Sequence, residues 1–129
     1  MMQDVSSKED IHILVTNFYA RIRKDVYLGP IFEKHIHDWP AHLDHISIFW
    51  ENSLFRTGKY HGNPLEVHEK VDKKEGYRIN EHHFGIWLNH WIQTIDDLFL
   101  GDNATILKAR ARKMATHIHL HLFQARKNE

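Results

Sequence analysis

Apolar positions along the chain recur mostly every three or four residues, in stretches separated by clusters of turn formers. The first stretch predicts a helix over residues 8 to about 23, with Ile11, Leu14, Val15, Phe18, Tyr19 and Ile22 on one face. Ser6 and Glu9 stand at capping-box spacing ahead of it. Leu28-Gly29-Pro30-Ile31-Phe32 reads as a turn leading into a short helical piece, because proline fits a first helical turn. A second long helix is expected from near Asp38 and Pro40 to about Phe55, with His42, Ile46, Phe49, Trp50 and Ser53 inward. Residues 56–64 are too rich in turn formers for helix, and Asn63-Pro64 can cap and open a short helix through Leu65, Val67 and His68. Residues 69–79, polar and charged, read as an exposed loop.

Asn80 is expected to cap the third long helix, whose stripe is Phe84, Trp87, Leu88, Trp91, Ile92, Ile95, Leu98 and Phe99. Gly101-Asp102 ends it. A last helix then runs to about Gln124 and is expected to bury Ile106, Leu107, Ala111, Met114, Ala115, Ile118 and Leu122. The one alternating run, residues 117–122, lies at the end of a helical stripe, so the fold class is all-α.

The 129 residues suffice for a single domain with one core and one internal cavity. Seventeen basic residues balance seventeen acidic ones, without the basic excess of a nucleic-acid or membrane-surface binder. Cysteine is absent, which removes disulfides, thiolate metal sites, thiol nucleophiles and thioether-attached cofactors. The first ten residues lack an apolar signal-peptide core, and no apolar run is long enough to cross a bilayer. A cytoplasmic location is the expectation. Histidine is abundant, at 13 residues.

The middle of the chain is poor design for a plain bundle, which favours short connections between long helices. A glycine-rich connection and a short helix ending in histidine leave space for something else. Four Trp, seven Phe and four Tyr line several helix faces. With a histidine on a short helix and polar residues facing it, they suit a flat apolar cofactor such as haem.

These residues resemble a family. Phe18-Tyr19, Leu28-Gly29-Pro30-Ile31-Phe32, and His42 eight residues before Trp50 are similar to the truncated haemoglobins. Gly62-Asn63-Pro64-Leu65, His68 and the Phe84 to Leu88 stretch resemble their third group, as does the lack of the Gly-Gly pairs of the other two. The likeness spans about residues 18 to 114. It departs from the family after His68, where a longer, proline-free stretch (residues 69–80) replaces the usual shorter one with its Leu-Pro pair.

The resemblance implies one truncated globin domain over residues 1–129, a two-over-two helical sandwich around haem b. His68 would be the proximal iron ligand. Tyr19, His42 and Trp87 would face the bound gas (dioxygen, nitric oxide or carbon monoxide), and Phe32, Ile46 and Phe49 would wall the haem. Tyr60 and Arg78, with His61 and Lys70, are candidates for the haem carboxylates. Gating of ligand access is the expected role of His42, ahead of iron ligation. Two distal donors imply slow dioxygen release, hence oxygen or nitric oxide chemistry or sensing rather than bulk delivery. Nitric oxide dioxygenation or a peroxidase-like activity would fit, with an unidentified reductase as partner and a monomer or weak dimer as the assembly. Two alternatives stay open: a non-haem di-iron oxygen carrier in a four-helix bundle, and a cofactor-free helical interaction module. His117 and His121, one turn apart, lack a third ligand.

Overall fold

The computed structural model describes residues 2–128 and holds six helices, with no strand among the described residues. They are α1 (Lys8–Lys24), α2 (Gly29–His35), α3 (Trp39–Phe55), α4 (Pro64–Lys74), α5 (Glu81–Leu98) and α6 (Asp102–Lys127). α1 packs on α3 and α5, α6 packs on α5 and α4, and α2 lies against α1. No helix is long and apolar enough to cross a membrane.

α1 follows its sequence pattern closely, since all six residues of the expected face are buried. Its cap lies one residue later than the spacing suggested. Ser7 accepts from the Asp10 backbone N–H, and the Asp10 carboxylate accepts from the Ser6 backbone N–H and hydroxyl. Asp38, Asn63 and Asn80 each cap the helix that follows, as their position predicts. Asn80 and His83 complete a reciprocal capping box.

The core is an aromatic cluster. Trp91 is fully buried, stacks on Trp50 with centroids 4.5 Å apart, and donates its indole N–H to the Leu107 carbonyl at 3.2 Å. Phe18 meets Trp91 and Trp87 edge-on at 5.1 and 5.6 Å. One ring thereby joins α1 to two turns of α5 and leaves Trp87 at the edge of the core.

Three expectations are corrected. Residues 69–79 are not simply a loop: helix continues to Lys74, because Glu and Lys are good helix formers and Asp72, a poor one, is buried in an ion pair. α4 ends in a left-handed Gly76 (φ 70°), with Gly76 and Tyr77 donating backward to the Lys73 and Asp72 carbonyls. Ile106 is 37% exposed rather than core, since Ala104 and Leu107 take the inward positions of that turn. α6 reaches Lys127, a turn beyond the expected end.

The start of α6 has a cap that no local reading supplies. Gly101 provides no side chain, and the Asp4 carboxylate accepts from the Asn103 and Ala104 backbone N–H groups, both at 2.9 Å. Gly101 is required there, because a Cβ would collide with the Asp4 side chain. Asp4→Ala is expected to lower unfolding free energy by about 1–2 kcal/mol, measured by urea denaturation. An unchanged midpoint would show that water replaces the cap without cost.

Candidate functional site

A cavity of about 380 Å³ opens between the six helices, and its lining is mostly apolar. It gathers Tyr19, Phe32, His42, Ile46, Phe49, Tyr60, His68 and Trp87, eight of the residues singled out from the sequence. Arg78, His61 and Lys70 are exposed and not part of the lining. Lys70 instead pairs with Glu66 one turn back on α4, at 3.2 Å.

His68 is presented by the first turns of α4, which Asn63 starts by accepting from the Glu66 N–H and Pro64 by its preset φ. Its Nδ1 lies 2.6 Å from the Pro64 carbonyl. A carbonyl only accepts, so Nδ1 carries the proton and Nε2 keeps a free lone pair. Desolvation by the surrounding protein lowers the pKa of His68, partly opposed by the Pro64 bond, so the ring is neutral at pH 7. A neutral imidazole with its tautomer set by a second-row hydrogen bond is the form in which histidine binds a metal.

Tyr19, His42 and Trp87 converge on the same cavity from α1, α3 and α5. The Tyr19 ring meets His42 at 5.0 Å and Phe18 at 5.0 Å, edge-on in both cases. Phe18 in turn touches Trp87, so one residue spaces the phenol from the indole. Burial pushes the Tyr19 pKa well above its ordinary value, which keeps the hydroxyl a donor. The His42 Nε2 is buried and has no hydrogen-bond partner among the described residues. An orphaned polar atom beside an apolar cavity fits a site built for a guest that supplies the missing partner.

Desolvation, with a smaller contribution from the nearby His45, lowers the His42 pKa to about 4. The ionisable groups facing it are Tyr19 from α1 and His45 one turn along α3. Because the unfolded chain takes up this proton near pH 6.5 and the folded one does not until about pH 4, stability is lost as pH falls across that window. His42→Leu is expected to flatten this part of the acid-side decline, read as the difference in melting temperature between pH 7 and pH 5. An identical difference in the parent and the variant would remove His42 as its source.

Several lining residues escaped the sequence reading. His45 stands beside Tyr60, ring centroids 5.2 Å apart, and its position three residues after His42 was the available signal. Trp39 is not part of the lining but packs edge-on against two residues that are, Tyr19 and His42, at 5.6 and 5.7 Å, with the Arg23 guanidinium 4.3 Å over its ring. Only its place in the first turn of α3 could have marked it. His35 lines the cavity and bonds Glu75 at 2.8 Å. Phe84, Ile118 and Leu122 complete the wall from α5 and α6.

No protein-family model matches the chain. A group 3 truncated hemoglobin of Campylobacter jejuni subsp. jejuni is 28% identical over 128 residues, covering 96% of this chain and 97% of the relative. The crystal structure of a group III truncated hemoglobin from Campylobacter jejuni superposes with a TM-score of 0.84 at 29% identity, covering 95% of each chain.

Proposed function

The chain has the fold of a group III truncated haemoglobin, and from that premise we propose that it binds haem b in the cavity and takes diatomic gases there. The observation that carries this reading is the cavity itself, lined by an imidazole with its tautomer set from α4 and by a phenol, an imidazole and an indole from α1, α3 and α5. A haem held there would supply an iron able to bind dioxygen, nitric oxide or carbon monoxide.

The residues of this chain then set what happens to the gas. His68 Nε2 would hold the iron. Phe32, Ile46 and Phe49 would pack against the macrocycle and exclude water. Tyr60, at the cavity wall, would accompany a haem carboxylate, while Arg78 is exposed and outside the lining. The Tyr19 hydroxyl and the Trp87 indole N–H would donate hydrogen bonds to a diatomic guest, bonds that strengthen in a dry pocket. His42 is neutral and gates ligand access. Slow release follows, and suits oxygen or nitric oxide chemistry or sensing better than bulk delivery. Turnover would draw electrons from a reductase.

Titration with hemin tests the reading. An intense violet band with one-to-one stoichiometry, which shifts on reduction and again under carbon monoxide, is the expected result. A protein that stays colourless overturns it. A di-iron site is less well supported: among the described residues, no three His, Cys, Asp or Glu side chains are grouped to hold a metal ion.

A further inference from the structure

The helix that carries His68 is held to its neighbours mainly by charge. Asp72 is its one fully buried residue, and Pro64, Val67 and Val71 face the cavity instead of a packed core. Carboxylates stand every third residue from Glu66 to Glu75: Glu66 pairs with Lys70 of α4 itself, and the other three each meet a partner from another helix. Glu69 lies 3.0 Å from His121 of α6. Asp72 accepts two bonds from Arg126 of α6, at 2.9 and 2.7 Å. Glu75, which caps α4, lies 2.8 Å from His35 and 2.9 Å from Lys34 of α2.

The middle pair differs from the others in burial. The Asp72 side chain is 3% exposed, against 47% for Glu69. Exposed pairs contribute little, whereas removing one partner of a buried, two-pronged pair leaves a charge without compensation. Arg126 also donates to the Ile79 carbonyl, so one guanidinium ties α6 both to α4 and to the segment that leads into α5.

We propose that Asp72 and Arg126 are positioning residues for the proximal histidine: their ion pair, one helical turn beyond His68, sets how α4 presents the imidazole and thereby how firmly haem is retained. The consequence for haem rests on the function proposed above, while the anchoring of α4 does not. Arg126 touches neither iron nor gas and acts only through the helix.

The test compares the parent with Arg126→Gln, Arg126→Lys and a control, Lys108→Gln, which removes a cation pairing with Asp96 away from α4. Haem transfer to an excess of acceptor apoglobin and amide hydrogen exchange are measured on the loaded proteins. In Arg126→Gln, haem loss is expected to accelerate about tenfold or more. Amides of α4 lose protection there while those of α1 and α5 keep theirs. Arg126→Lys, which keeps the charge without the fork, restores part of both. If Arg126→Gln folds poorly, the double Asp72→Asn, Arg126→Gln variant removes the clamp without leaving an unpaired buried charge. Haem loss and α4 protection equal to the control, or protection lost equally in every helix, overturns the proposal. If the protein takes up no hemin, the function proposed above fails, and the anchoring of α4 is decided by hydrogen exchange on the protein as purified.

Discussion

His68→Ala is expected to abolish stable haem retention, with recovery when imidazole is added in excess. The argument is geometric. His68 has its Nδ1 proton committed to the Pro64 carbonyl, so Nε2 is the atom left for iron. Of the other lining histidines, His35 bonds Glu75 and His83 accepts from the Asn80 N–H as part of a cap, while His42 packs against Tyr19 and His45 against Tyr60, both from α3. Haem loss to acceptor apoglobin should rise by orders of magnitude. Normal axial coordination in the variant would mean that another histidine holds the iron, and His42 would then be the residue to test.

The second large effect is expected on dioxygen release. A hydrogen bond to a charged acceptor contributes about 1.5–3 kcal/mol, so losing one should speed dissociation about tenfold or more, and losing two about a hundredfold or more. Tyr19→Phe is the cleaner variant. It keeps the ring that Phe18, Trp39 and His42 pack against and removes only the hydroxyl. Trp87→Phe also removes an indole that lies parallel to Trp91 at 6.3 Å, so its melting temperature must be measured beside its off-rate. Stopped-flow dissociation constants unchanged in both variants would eliminate the two-donor argument and leave haem binding untouched.

Helix faces were legible because their information is local. The inward residues of α1 repeat at helical spacing, and burial of that face needs only that some partner exist. Caps at Asp38, Asn63 and Asn80 are likewise short-range chemistry. What could not be read depends on partners distant in the chain. Asp4 caps a helix that begins about a hundred residues later, and a lone aspartate near one end carries no sign of that. Asp72 looks like one more solvated acid in a charged run. Arg126, 54 residues on, makes it a buried anchor and turns an expected loop into helix.

The candidate site divides the same way. Tyr19, His42, His68 and Trp87 were singled out by residue type, order and family likeness, and all four line one cavity. Their meeting in one cavity is a property of packing. Phe18 spaces Tyr19 from Trp87, and Trp39 closes over Tyr19 and His42. The residue types and their local helical placement are therefore written in the chain. The cavity's walls and the anchoring of its proximal helix are not, because they arise from contacts between segments whose distance apart in sequence carries no periodic signal.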